Sequence, residues 1–121
     1  MKAKNLGFAG EKIAEDFLRN KKYEILEKNF TVCGGEIDII ARLGKILVFV
    51  EVKTRTGKTF GSGDESMNGL KKMRIAHAIQ RYLDKIAENE DPDYRVDLIE
   101  IDLDPATLKL QNINHYEDIE L

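Results

Sequence analysis

The sequence predicts an α/β or α+β fold, a mixed sheet flanked by helices. Three observations carry this reading. The chain has 121 residues, room for one domain over residues 1–121 with a sizeable core. Its apolar spacing alternates between helical and strand periods in the order α-β-β-β-α-β-β. The connections are short, apart from a polar, Gly-rich loop over residues 54–64; long ordered loops tend to be functional.

Residues 5–19 predict an amphipathic helix. Leu6, Ala9, Gly10, Ile13, Ala14, Phe17 and Leu18 share one broad face, with Lys12, Glu15, Asp16 and Arg19 opposite. Glu11 sits at the border, in line with Gly7, Ala14 and Leu18. Residues 23–31 predict a first strand, weakened by Glu27 and Lys28. Gly34-Gly35 turns into a second strand, and Leu43-Gly44-Lys45 turns that into a third. A second helix starts between Ser66 and Leu70 and runs to about Asn89. Its expected buried stripe is Ile75, Ala76, Ile79, Leu83 and Ile86, flanked by Ala78 and Tyr82. Beyond the acidic turn at Pro92, strands are expected over residues 94–102 and 108–113.

Composition narrows the functional classes. Hydrophobic content of 42% with 34% charged residues is ordinary for a soluble globular protein. A lone cysteine, Cys33, cannot form an internal disulfide, suits a reducing cytoplasm and reads as a small residue beside the Gly-Gly turn. No apolar run reaches the ~20 residues of a membrane span, and the N-terminus lacks a signal peptide's apolar stretch. The expectation is a cytoplasmic protein without a membrane partner. The net charge of −3 argues against a simple nucleic-acid coat protein. Yet Lys53, Arg55, Lys58, Lys71, Lys72 and Arg74 fall in one central stretch, a basic patch compatible with a phosphate-bearing ligand.

The second and third strands carry charges inside near-continuous apolar runs, where a charge is costly unless it is paired or binds a metal. Glu51 and Lys53 share one face of the third strand, while Val48, Val50 and Val52 share the other. On the second strand, Glu36 and Asp38 are expected on one face, opposite Ile37 and Ile39. An Asp followed on the next strand by Glu-x-Lys can hold a hard cation, Mg²⁺ or Mn²⁺, with an ammonium beside it. Asp38, Glu51 and the Val52 carbonyl are the candidate ligands, leaving several positions to water, hence weak binding. Lys53 would stabilise a hydroxide or the charge growing on phosphorus. Glu11 could approach from the helix as a further ligand or an orienting group. The competing readings are a buried ion pair in a mixed sheet and, for Glu11, a solvated helix glutamate. His77 and His115 are isolated, with no Cys or His at zinc spacing, and no nucleophile elbow or P-loop occurs.

Gly35-Glu36-Ile37-Asp38-Ile39-Ile40, followed by Val48-Phe49-Val50-Glu51-Val52-Lys53-Thr54-Arg55, resembles the YraN family. These small bacterial proteins belong to the PD-(D/E)xK, or restriction endonuclease-like, superfamily and are similar to archaeal Holliday junction resolvases. The resemblance extends over nearly the whole chain, through Gly10-Glu11, Ala14-Glu15, Phe60-Gly61, Lys71, Tyr82-Leu83 and Arg95-Val96-Asp97. It implies an αβββαβ core, with Asp38, Glu51 and Lys53 matching the catalytic motif. It also implies that Glu11 matches the first-helix glutamate and Lys71 a recurring helix lysine. The superfamily's Pro before the Asp is absent here, replaced by Gly35-Glu36-Ile37.

The expected function is Mg²⁺-dependent hydrolysis of phosphodiesters in structured or branched DNA, with Arg55, Lys58, Lys71 and Lys72 as phosphate contacts. The alternative is a nucleic-acid-binding module that keeps the fold and hydrolyses nothing. A third reading is a protein-interaction domain using the acidic tail. Junction-resolving relatives act as dimers, so a homodimer is expected by analogy.

Overall fold

The computed structural model describes residues 3–57, 68–86 and 92–121, with side chains from residue 6 onward. Helix α1 (Ala3–Asn20) leads into strands β1 (Glu24–Val32), β2 (Gly35–Leu43) and β3 (Ile46–Thr56). Helix α2 (Gly69–Ile86), β4 (Tyr94–Leu103) and β5 (Leu110–Tyr116) follow. The five strands form one sheet in sequential order. Its pairs are antiparallel except β3–β4, whose parallel register runs unbroken from Leu47↔Tyr94 to Thr56↔Leu103. This is the mixed α/β architecture with a restriction-endonuclease-like αβββαβ core. Lys58, Phe60 and Gly61, the rest of the expected 54–64 loop, and the expected end of the second helix at Asn89 lie outside the described residues.

Each face of the sheet carries one helix, because the central strands bury both of their faces. Ile39, Ala41, Val48, Val50, Ile99 and Ile101 pack with Ala14 and Leu18 of α1. Ile37, Ile40, Phe49, Val96 and Leu98 pack with Ile75, Ala78, Ile79 and Tyr82 of α2. The buried stripe of α2 is thus rotated from the expected one. Ala78 and Tyr82 are inside, whereas Ala76 is exposed and Ile86 is 38% exposed. Phe49 fixes the rotation, since Tyr82 meets its ring edge-on at 5.7 Å between centroids.

Two glycines let the helices approach the site strands closely. A Cβ on Gly10 would collide with the Thr54 side chain of β3, and one on Gly35 would strike the Arg74 carbonyl of α2. Gly10 thereby seats its neighbour Glu11 against the sheet, and Gly35 draws α2 down over β2.

Three local expectations are corrected. Glu15, expected on the polar face of α1, is buried because Arg19 Nη2 at 2.9 Å and Lys28 Nζ at 3.1 Å both reach it. The last strand starts at Leu110, two residues late, because Asp104 Oδ1 accepts the N–H groups of Ala106 and Thr107 and makes a turn of the preceding segment. Leu108 completes that turn with φ +59°.

The third correction concerns β2. Ile37 packs on the α2 side and Ile39 on the α1 side, so strict alternation breaks at Asp38. The β1–β2 ladder pairs Phe30 with Ile37 and Lys28 with Ile39; between these pairs lie Asn29 and Asp38. Asn29 is left-handed, with φ +53°, a conformation Asn tolerates better than most residues. The pairing of β2 with β3 begins only at Ile39↔Val50. Asp38 therefore stands where β2 leaves β3.

Candidate active site

The break frees the Asp38 side chain to reach across the gap. Its Oδ2 accepts the Val52 N–H at 2.8 Å, replacing a strand–strand bond with a side-chain bond. Glu51, one residue before Val52, continues the α2-facing row of Leu47 and Phe49 and is 6% exposed. Its carboxyl is in hydrogen-bond contact with that of Asp38. Burial, then the hydrogen bond and charge of Asp38, push the Glu51 carboxyl up to about 9. Lys71 of α2 opposes this shift with its Nζ 3.3 Å from Glu51 Oε1, without reversing it. Lys71 thus faces a carboxyl whose affinity for a proton, or for another cation, is raised by its burial and by Asp38.

Glu11 is half-buried on α1, its carboxyl raised by burial and then by the nearby charge of Asp38. A hydrogen bond from the Asn29 side chain pulls the other way. The same left-handed Asn29 that turns the strand thus also restrains the helix carboxylate. Glu11, Asp38 and Glu51 converge from three elements, Asp38 in electrostatic contact with both others. Asn29 was missed in the sequence. Its one signal was an Asn in the middle of a strand, where that residue is disfavoured.

Glu51 lines a cleft of about 250 Å³ together with Glu36, Asn68, Leu70, Lys71, Arg74 and Ile75. Asn68 caps α2, its Oδ1 accepting the Lys71 N–H at 2.9 Å. The N-terminus of α2, with its partial positive charge, therefore borders the cleft. Of the predicted basic residues, Lys71 lines it and Lys72 is half-buried on the adjacent helix position. Lys53 is exposed beyond Glu51 on the same face, opposite Glu100 in the register. Arg55 is held by Glu100, Nη2 to Oε2 at 3.0 Å, with its side chain only 13% exposed. The Tyr116 hydroxyl donates to the other oxygen of Glu100 at 3.2 Å. Lys53 and Arg55 are thus on the strand continuing out of the cleft, and Lys71 and Arg74 are in its wall.

Two carboxylates in contact, one of them shielded from water, form a donor set suited to a hard cation with oxygen ligands. A cation between them would offset the mutual repulsion of two crowded carboxylates. The fit extends to two protein carboxylates. Among the described residues no group of three or more His, Cys, Asp or Glu is arranged to hold a metal ion.

A second polar cluster lies on the α1 side of the sheet. Asp97 is fully buried and takes Arg95 Nε at 3.0 Å, the His115 ring Nε2 at 2.7 Å and the Asp118 N–H at 3.0 Å. The Tyr23 hydroxyl accepts from Arg95, and Lys21 Nζ lies 3.0 Å from His115 Nδ1. His115, read as isolated in the sequence, is a partner in this cluster. It ties β5 and the C-terminal residues to β4.

The core and the carboxylate pair at the β2–β3 divergence define a restriction-endonuclease-like α/β protein. Sequence comparison gives the family. The sequence model of the uncharacterised protein family UPF0102 matches residues 10–101. The UPF0102 protein of Caldanaerobacter subterraneus is 45% identical over 114 residues, covering 93% of this chain and 91% of the relative. That of Alkaliphilus oremlandii is 44% identical over 117 residues, covering 95% and 97%. That of Carboxydothermus hydrogenoformans is 38% identical over 120 residues, covering 98% of each. The chain belongs to UPF0102, the YraN family. No helix among the described residues is long and apolar enough to cross a membrane.

Proposed function

We propose that the protein is a Mg²⁺- or Mn²⁺-dependent nuclease hydrolysing phosphodiesters in structured or branched DNA. One observation carries the reading: a buried Glu51 carboxyl in contact with Asp38 and facing the Lys71 ammonium, at the mouth of a cleft. Asp38 and Glu51 would hold the cation weakly, with the Val52 carbonyl as the third protein candidate. The cation would supply Lewis-acid stabilisation of charge on a phosphate oxygen. Glu11 orients water at the site from the helix side. Lys53 stabilises the charge that develops on phosphorus, and Lys71 and Lys72 bind flanking phosphates. Arg55, braced by Glu100, presents a fixed guanidinium rather than a mobile one, and Lys58 extends the basic stretch in sequence. A cytoplasmic location fits a nucleic-acid substrate, and a homodimer would suit a branched one.

The second reading, a nucleic-acid-binding module without hydrolysis, is favoured by the absence of a three-residue ligand group among the described residues. The test is a cleavage assay on linear, nicked, flapped and four-way DNA with Mg²⁺ and with Mn²⁺. Cleavage that requires the cation and is lost in Asp38→Ala and Glu51→Gln supports the nuclease. Binding without cleavage of any substrate establishes the module.

A further inference from the structure

The Lys71–Glu51 contact has a geometry that a bound cation cannot leave unchanged. Lys71 Nζ sits 3.3 Å from Glu51 Oε1, so it occupies the approach to one of the two carboxylates. An ammonium and a divalent cation on the same buried carboxylate repel, and the shielding of Glu51, 6% exposed, keeps that repulsion strong. The backbone of Lys71 is fixed in the first turn of α2 by the Asn68 cap. Its four-methylene side chain is not fixed: it is 38% exposed and borders the cleft of about 250 Å³. There Arg74, Asn68 and the positive end of α2 favour an anion, while Glu36 in the same lining opposes one, so the released Lys71 ammonium is the charge that tips the balance.

We infer that Lys71 is a positioning residue that holds the cation's place on Glu51 and swings into the cleft when a divalent cation binds, where it meets a phosphate. The inference rests on the cation site proposed above. It makes the two events one: cation binding releases the lysine that the phosphate needs. Without the cation, the same lysine is engaged and the cleft is a weaker phosphate site.

The experiment needs no turnover. Mg²⁺ is titrated into the full chain with ¹³C,¹⁵N-lysine, and the Lys71 side-chain resonance, assigned by its absence in Lys71→Met, is followed by NMR. Mn²⁺ affinity is measured by calorimetry for wild type, Lys71→Met, Lys71→Gln and Arg74→Met. Removing Lys71 destabilises only the cation-free state. Both Lys71 variants should therefore bind Mn²⁺ roughly three- to tenfold more tightly, the scale of one partly exposed ion pair. The Lys71 resonance should shift in step with saturation, and Arg74→Met should change affinity less. Equal tightening in Arg74→Met would mark a general charge effect and overturn the exchange. Cation binding with Lys71 unmoved, or weaker binding in folded Lys71 variants, would overturn the exchange alone. A wild type that binds neither cation would remove the proposed cation site together with the exchange.

Discussion

Asp38 Oδ2 accepts the Val52 N–H at 2.8 Å where β2 and β3 part, so one carboxylate both closes the sheet and faces the site. The two roles separate by substitution. Asp38→Ala removes the acceptor and leaves the Val52 N–H without its partner, at a cost of roughly 1–3 kcal/mol by chemical denaturation. Asp38→Asn keeps an acceptor oxygen and should retain most of that stability. Both should abolish Mn²⁺ binding in calorimetry. Cation affinity surviving in Asp38→Asn would remove Asp38 from the ligand set.

Glu51 predicts a pH dependence of the cation-free protein. Its folded carboxyl is raised to about 9 by burial and Asp38, above the ordinary 4.5. Between these values the native state holds a proton that the unfolded chain has released. The stabilisation is complete below about 4.5 and declines as pH rises towards 9. Melting temperature measured with a chelator present should therefore fall across this window. Glu51→Gln, which cannot ionise, should flatten the decline and melt higher than wild type at its alkaline end. Saturating Mg²⁺ should also flatten it, since cation binding favours the ionised pair. An alkaline limb unchanged in Glu51→Gln would count against a raised Glu51 carboxyl.

Much of this arrangement was legible in the sequence because its causes are local. The period-2 and period-3.6 patterns of Val48–Lys53 and Leu6–Leu18 mark the elements, and a Glu-x-Lys closing an apolar run marks the candidate site. What stayed hidden depends on contacts between distant segments. Glu15 could be buried only because Lys28, on the next strand, supplies a second cation. The reversal at Asp38 depends on a strand leaving its ladder opposite Asn29, which no periodicity encodes. That Arg55 is braced by Glu100 depends on β4 lying parallel beside β3, a pairing of distant segments. Gly10 read only as part of the apolar helix face, and the Thr54 side chain shows why a Cβ is not tolerated there.

Asp97 anchors the far side of the sheet. Burial works to raise its carboxyl, but hydrogen bonds from His115, Arg95 and the Asp118 backbone hold it below the ordinary aspartate value. Its contribution is present above that ordinary value and is lost as pH falls through the depressed folded one. Asp97→Asn should cost roughly 3–5 kcal/mol, since it leaves Arg95 and His115 without their buried carboxylate. It should also soften the acid limb of the stability profile. Cation affinity should remain near wild type in the folded fraction, because the cluster lies across the sheet from the cleft.

Lys53 and Lys71 should separate in kinetics. Lys53 is exposed and carries charge stabilisation in the proposed reaction. Lys53→Ala should lower kcat roughly 10²–10³-fold with KM and DNA affinity little changed. Lys71→Ala should raise KM and reduce the salt dependence of binding, as loss of one phosphate contact does. Equal losses of binding in both variants would assign Lys53 to the phosphate track instead.

Glu11 is where a helix-surface role and a site role differ most clearly. Burial and Asp38 both raise its carboxyl, so the fold carries it at a cost that grows as pH rises through the raised value. Glu11→Gln removes that cost while keeping a hydrogen-bonding side chain beside Asn29. The cation-free variant should therefore melt higher than wild type, and the gap should widen as pH rises through the raised value. The same substitution takes negative charge from beside Asp38, so Mn²⁺ affinity should fall. A stabilised variant with a weaker cation site is the mark of a carboxylate kept for function. A surface glutamate would change stability by no more than about 0.5 kcal/mol and leave cation binding alone. Calorimetric titration and thermal melts of one variant decide between them, and a Glu11→Gln protein unchanged in both would leave the site to Asp38 and Glu51.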